Sequence, residues 1–404
     1  MKLIEGKYAA AKVFTDNIEE SASQQILTLC NQSFVDGCKI RIMPDVHAGT
    51  GCVIGFTADL GNKVIPSIVG VDIGCGMLVA ELGKNYIDPE KLDDVIHARI
   101  PAGMAVHEKP TLEENFLDNL TCKDFLHNID WIIRSLGTLG GGNHFIELDE
   151  DDNDNQYLVI HTGSRNLGKQ VAEYHQNVAI SNLKGKNKKK EIINALIKQL
   201  KAEKKEKEIS QRLFELNFKF PDIPNELCYL EGEDREAYLC DMLICQRFAT
   251  MNRLHIMNEI LNGVGLKEKI PEIHFFQTVH NYIDVSDNII RKGSVSAKKG
   301  KKLIIPLNMK DGSLICIGKD NPDWNYSAPH GAGRMYSWVA AKKAFSIDEF
   351  KKQMDGIYST SVNEDTLDEC PMAYKPAQEI IDAISPTVEI INHIKPVYNF
   401  KAGE

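Results

Sequence analysis

The chain has 404 residues, 43% of them hydrophobic and 26% charged, and carries a formal net charge of −10. That length suits one large core or two domains. The acidity weighs against a protein that coats nucleic acid, because non-specific affinity for a polyanion comes from Lys and Arg displacing counterions.

The opening segment, MKLIEGKYAAAKVFTDNIEE, has neither the basic start nor the apolar run of a signal peptide. No stretch reaches the roughly 18 apolar residues of a membrane span, so the expectation is a cytoplasmic protein with no membrane partner. Ten cysteines are scattered without C-x-x-C pairs, which fits a reducing compartment and small buried side chains.

In chain order, IRIMPDVH (40–47), GCVIGFTADL (51–60), HFIEL (144–148) and YLVIHTG (157–163) read as short strands joined by glycine-rich turns. Between the last two, DEDDNDNQ (149–156) has the composition of an exposed hairpin loop. From about Leu167 to Asn262 the periodicity becomes helical. Ile192, Ile193, Leu196, Ile197 and Leu200 stand at helix spacing inside a stretch, Lys184 to Lys207, that holds ten Lys against three Glu. That stretch reads as a solvated basic face, with an RNA-contacting arm as the alternative. Strand patterns return at KLIIPL (302–307) and SLICIG (313–318), followed by a helix-like MYSWVAAKKAF (335–345). The predicted fold class is α+β. It is a single compact domain over 1–404 with a strand-rich core, surrounding helices, and a partly Lys-rich helical excursion over 181–262.

Six polar clusters sit where strands end: MPDVHAG (43–49), GVDIGCG (70–76), GGGNHFIE (140–147), HTGSRNLG (161–168), VHNYIDV (279–285) and PHGAGR (329–334). Glycines in five of them permit close backbone approaches, so side chains can converge from a rigid frame. Cys75 alone is an ordinary buried thiol. Together with Asp72, His144, His161 and His280 it offers a thiolate, a carboxylate and imidazoles, the ligands of a first-row transition metal. Zinc is the default for Cys with His, whereas the carboxylate and open positions leave room for Mn²⁺. His330, between Pro329 and a glycine turn that looks ready to open a helix, can serve as a nucleophile toward phosphorus. Arg334 and the backbone of that turn, and likewise Thr162, Ser164 and Arg165 in HTGSR, could hold phosphate.

Taken together, PDVH, D-x-x-C-G, G-x-G-N-H-F-x-E, H-x-G-S-R, the H-N pair, R-K-G and H-G-A-G-R resemble the RtcB family of RNA ligases. All occur in that family's order from Pro44 to Arg334. The resemblance implies an RtcB-like fold. It also implies an enzyme that joins an RNA 3′-phosphate or 2′,3′-cyclic phosphate to a 5′-hydroxyl, using GTP and two Mn²⁺ ions. Cys75 then bridges the ions, with Asp72 and His144 on one and His161 and His280 on the other, and His330 takes GMP from GTP.

The same resemblance places Asp45, Asn143, Phe145, Glu147, Asn281, Pro306, Asn308, Met309, Ser313, Gly331, Ala332, Gly333 and Lys401 around the nucleotide. Within that set Asn143 faces the α-phosphate, and Glu147 and Lys401 read guanine. Arg165 matches the contact to the RNA phosphate. The implied partner is RNA with those ends; any repair- or translation-linked protein partner stays unnamed.

Two departures stand out. Where many relatives have P-G-S-M-G, this chain has Pro306-Leu307-Asn308-Met309-Lys310, and it ends Lys401-Ala402-Gly403-Glu404 rather than in Lys-Gly. Both suit a divergent branch that repairs cleaved RNA. The competing readings are a metal-dependent esterase for cyclic phosphates, which needs the metal ligands but not His330, and a non-catalytic binder of RNA ends.

Overall fold

A computed structural model describes residues 1–216 and 222–402; residues 217–221 of the expected excursion, the side chains at 186–188 in the Lys-rich run, and 403–404 lie outside it. The strands, in chain order, are β1 (Lys2–Glu5), β2 (Ala10–Val13), β3 (Ile40–His47), β4 (Ile54–Asp59), β5 (Gly76–Gly83), β6 (Phe145–Glu150), β7 (Gln156–Thr162) and β8 (His274–Val279). They continue with β9 (Asn281–Asp284), β10 (Ile289–Lys292), β11 (Ser294–Ser296), β12 (Lys302–Asn308), β13 (Gly312–Gly318), β14 (Ser327–Pro329) and β15 (Val388–Lys401). The helices are α1 (Glu20–Cys30), α2 (Pro66–Val69), α3 (Pro89–Arg99), α4 (Ile129–Arg134), α5 (Arg165–Leu183) and α6 (Lys186–Ala202). After them come α7 (Ile209–Glu215), α8 (Gly232–Gly263), α9 (Trp338–Ala344), α10 (Ile347–Gln353) and α11 (Ala377–Ile384).

This is an α+β fold around two sheets. Six strands run in the order β1-β2-β3-β4-β10-β9, and seven run β12-β13-β15-β6-β7-β5-β8, with β11-β14 as a separate pair. The 14 residues of β15 tie the seven-stranded sheet together: Val388 to Ile394 pair with β13, and Lys395 to Lys401 with β6. The chain leaves one sheet and enters the other at a single residue, His280, between β8 and β9.

Helix α8 shows why its sequence folds as it does. Tyr238, Asp241, Met242, Cys245, Phe248, Ala249, Asn252, Arg253, Ile256, Met257 and Ile260 recur three and four apart and are all buried. That face packs on β5, β7 and α5. The Lys-rich α6 lies outside it, and its apolar residues are mostly half-covered or exposed apart from Leu200. Among the described residues no helix is long and apolar enough to cross a membrane.

The expected strands are present with small boundary shifts, but the acidic hairpin is shorter than its composition suggests. Asp149 and Glu150 belong to β6, and Asp149 is fully buried, so the loop is only 151–155. The strand pairing Asp149↔Tyr157 and Asp149↔Pro396 overrides the residue's turn preference. The segment 335–345 becomes helical only from Trp338; Ser337 caps it by accepting from the amide of Ala340.

Candidate active site

Strand direction alone gathers the proposed ligands. β5 is antiparallel to both β7 and β8, and β6 is antiparallel to β7. The starts of β5 and β6 therefore meet the ends of β7 and β8 at one end of the sheet. Cys75 precedes β5, His144 precedes β6, His161 is the penultimate residue of β7, and His280 follows β8. Register fixes the match, since Phe145, His161 and Met77 are direct cross-strand partners. Gly163 lets Asp72 join them, because a Cβ there would run into the Asp72 carboxylate.

The result is a tight, buried cluster. Cys75 Sγ lies 3.4 Å from Nε2 of His144 and 3.4 Å from Nε2 of His161. On one side, His144 Nε2 is 3.0 Å from Asp72 Oδ2; on the other, His161 Nε2 is 3.3 Å from His280 Nε2. The far nitrogens of two rings are already used. His144 Nδ1 donates to the Leu139 carbonyl at 2.9 Å, and His161 Nδ1 donates to the Asn143 carbonyl at 3.1 Å. Those bonds select the tautomer whose Nε2 lone pair faces the sulfur.

Burial, and then the charge of neighbouring imidazoles, pushes the His161 and His280 rings well below the usual histidine range, so both are neutral. Burial, reinforced by Asp72, pushes the Cys75 thiol up. Burial acts in the same direction on Asp72, but the hydrogen bond and charge of His144 outweigh it and bring the carboxyl to about 2. Three imidazoles, a sulfur and a carboxylate thus converge on one small space. The donor set and its burial fit divalent cations, which would replace the shared protons and ionise the thiol.

Arg253 reinforces the arrangement. Its fully buried guanidinium donates to the carbonyls of Gly74 at 3.1 Å and Thr162 at 2.8 Å, bracing the turns that carry Cys75 and His161. Sequence reasoning missed it; the signal was an arginine on the apolar face of a helix.

A cavity of about 210 Å³ adjoins the cluster, and Asp72, Cys75, His161 and His280 form part of its wall. Asn143, Phe145, Glu147, Asn281, Pro306, Asn308, Met309, His330, Gly331, Gly333 and Lys401 complete the expected residues on that wall. Asp45, His144, Arg165, Ser313 and Ala332 are not on it. His330 stands beside the cluster, its ring centroid 4.7 Å from that of His280. Its Nδ1 is 2.8 Å from Oδ2 of the fully buried Asp45, which also accepts from the His330 amide at 3.1 Å. Gly333, at φ +79°, sits so close to the Asp45 backbone that a Cβ would collide with it. Asp45 is thus a partner of His330 rather than a lining residue.

Opposite lies a buried polar group that strand register puts together, with Asn399 paired to Glu147 and Lys401 to Phe145. Asn399 Nδ2 donates to Glu147 Oε1 at 2.5 Å. Burial raises the Glu147 carboxyl to about 7 against the opposing pull of Lys401 and Asn399. Lys401 Nζ is 2.5 Å from Glu369, which also binds Arg334. Arg334 further donates to the carbonyls of Asp368 and Tyr336, so its guanidinium is committed to the protein and not to an anion. Glu369 and Asn399 were not foreseen, since neither lies in a glycine-bounded cluster.

Other expectations change in the same way. Thr162 donates to the Leu139 carbonyl and Ser164 to the Ile73 carbonyl, so both hydroxyls serve the fold. Asn308 accepts from the amides of Lys310 and Asp311 and caps its own hairpin. Asn281 straps the loop that carries Asp72, donating to the Asp72 carbonyl and accepting from the Gly293 amide. Arg165 adopts φ +56°, a strained position at the start of α5, and donates to Thr138 and to the Gly103 carbonyl. A second buried group, Cys122, His175 and Asp241, also brings three potential metal donors within 4.8 Å of one another. There Asp241 already accepts from His175, from the Thr121 amide and from the Thr121 hydroxyl.

Comparison with known proteins identifies the family. The profile of the family described as tRNA-splicing ligase RtcB matches residues 25–135 and 126–402. The RNA-splicing ligase RtcB of Escherichia coli (strain K12) is 29% identical over 437 aligned positions, which cover 98% of each chain. The tRNA-splicing ligase RtcB of Nanoarchaeum equitans (strain Kin4-M) is 26% identical, covering 84% of this chain and 83% of that protein. With the family profile spanning most of its length, this chain belongs to the RtcB family.

Proposed function

We propose that this protein is an RNA ligase that joins a 3′-phosphate or 2′,3′-cyclic phosphate end to a 5′-hydroxyl end, with GTP as the energy source. It acts in the cytoplasm in RNA repair. The observation that carries the reading is His330, held by Asp45 through Nδ1 and seated 4.7 Å, ring to ring, from His280 of the buried cluster.

With its Nδ1–H donated to Asp45, His330 presents Nε2 as a lone pair. That nitrogen attacks the α-phosphorus of GTP, and the bond to the pyrophosphate oxygen breaks. The buried Asp45 carboxylate stabilises the cationic imidazole that results, as a carboxylate does beside any histidine that gains charge at Nε2. Glu147, once ionised, accepts from the guanine N1–H and 2-amino group, and Lys401 supports that end of the pocket. An oxygen of the RNA 3′-phosphate next attacks the same phosphorus; the N–P bond breaks and His330 regains its lone pair. The 5′-hydroxyl then attacks the activated 3′-phosphate, losing its proton, and GMP leaves. A cyclic phosphate is opened by water first.

Arg165 is assigned to the RNA phosphate; Thr138 and Gly103 hold its Nε and Nη2, and Nη1 is left for an anion. Asp72, Cys75, His144, His161 and His280 would hold a pair of Mn²⁺ ions, which when bound neutralise phosphate charge and polarise the P–O bonds.

The test is direct. Protein incubated with Mn²⁺ and GTP labelled at the α-phosphate should become labelled, and His330→Ala should not. Label that survives that substitution, or RNA products that are opened but never joined, would overturn the reading in favour of an esterase.

A further inference from the structure

The mechanism leaves one feature next to the reaction centre unused. A second cavity, of about 650 Å³, shares His47, Ile54, Asn143 and Arg334 with the first, so the two are halves of one cleft. Its far wall is the segment 335–339. Met335, Trp338 and Val339 are 50%, 53% and 66% exposed, three large apolar side chains within five residues. Exposure of that kind costs solvation free energy without helping the fold, and it marks a binding surface when it borders a cleft.

The support under these residues is fixed. Ala341 is buried in a small core with Phe350 and Met354, and the rings of Tyr336 and Phe345 meet edge-on at 5.1 Å. The Met335 amide donates to the Ala373 carbonyl at 2.8 Å. Helix α9, which carries Trp338, has Lys342 and Lys343 in its last turn, Lys342 lying 3.5 Å from Asp368. The acid on the cleft wall, Glu19, already accepts from the Ala48 amide.

We propose that Trp338, with Met335 and Val339, is a stacking platform for an unpaired base of the RNA end that enters the cleft. The inference rests on the ligase reading for the identity of the polymer. An aromatic face with apolar neighbours, lysines on the same helix and a continuous cleft beside it is the combination that binds single strands without reading sequence, since every base offers a π-face. The shared wall connects this platform to the cavity that holds His330, where the phosphate of the RNA end would react.

The experiment is an equilibrium titration of the full-length protein with short dye-labelled oligoribonucleotides, affinity being read from the anisotropy of the dye and contact with Trp338 from tryptophan fluorescence. Of the other two tryptophans, Trp324 is buried and Trp131 half-buried. RNA with an unpaired end should quench the Trp338 emission. Trp338→Ala should weaken binding roughly 5- to 150-fold, and Trp338→Phe should restore most of it. An oligonucleotide lacking the terminal bases should bind the native protein as weakly as the intact one binds Trp338→Ala, and the two losses should not add.

Oligonucleotides with a 3′-phosphate and with a 5′-hydroxyl form separate arms, and a quench by either supports the platform and names the strand. No quench by any RNA, an unchanged affinity in Trp338→Ala, or a quench by GTP alone would overturn the proposal. Binding is read without turnover, so a protein that stacks RNA but joins no ends would sink the ligase reading and leave the platform standing.

Discussion

Asp45 Oδ2 accepts two hydrogen bonds from one residue, His330, through its ring Nδ1 at 2.8 Å and its backbone amide at 3.1 Å. The double contact fixes both the position of the loop and the rotation of the ring. Because a carboxylate can only accept, it also fixes which imidazole nitrogen carries the proton.

Asp45→Asn should therefore lower the rate of covalent labelling at His330 by about 10²- to 10⁴-fold, because an amide can offer its NH₂ to Nδ1 and stabilise the wrong tautomer. GTP affinity should change little, since Asp45 is not on the cavity wall. Single-turnover labelling checks this. A variant within about threefold of the native rate would remove Asp45 from the positioning role.

Glu147 and Asp149 predict an inverted pH dependence of stability. Burial raises both carboxyls, Glu147 to about 7 from an unfolded value of 4.5, and the charge of Glu147 adds to the cost of ionising Asp149. Between those values the folded state binds more protons than the unfolded one. The associated stability is complete below about pH 4.5 and is lost as pH rises through 7, by roughly 3 kcal/mol for Glu147. Urea midpoints at pH 5, 6, 7 and 8 should fall, and Glu147→Gln or Asp149→Asn should flatten the slope. A native midpoint that rises over that range would contradict the pairing. Guanine binding should move oppositely, strengthening toward pH 8 as Glu147 ionises.

Much of this site is legible in the sequence because it is built at strand ends. The glycine-bounded clusters announce turns, and the polar residues inside them have no other reason to be there, so Asp72, Cys75, His144, His161, His280 and His330 stand out one by one. What binds them together is not local. Asn399 meets Glu147, and Lys401 meets Glu369, only because β15 crosses from β13 to β6, and no window of the sequence contains both partners. Asp149 misleads for the opposite reason: its neighbours look like a loop, while its two strand partners bury it.

Arg253 shows how far from the reacting atoms such support reaches. Arg253→Met keeps the volume and the apolar contacts of α8 but leaves the carbonyls of Gly74 and Thr162 without their buried donor. The expected loss is roughly 2 to 4 kcal/mol of stability. It should be accompanied by lower metal occupancy after dialysis, because the turns holding Cys75 and His161 lose their shared brace. A variant that is destabilised yet retains full metal content would confine Arg253 to a role in folding.

The Cys75 cluster makes its own prediction through its donor atoms. In the metal-free protein burial keeps the Cys75 thiol protonated and the His161 and His280 rings neutral, with the donor atoms 3.0 to 3.4 Å apart and ready for a cation. A divalent cation that binds only the folded form should stabilise it by about 2.7 kcal/mol per site at a hundredfold excess over Kd. Mn²⁺ added to chelator-treated protein should therefore raise the melting temperature, and mass spectrometry of the refilled protein should find two ions per chain. Cys75→Ser removes the one donor that touches both halves of the cluster, so it should lower that stoichiometry and abolish labelling of His330 together. If the serine variant still retained two ions, the sulfur would not be the shared ligand and the cluster would have to be divided differently between the metals.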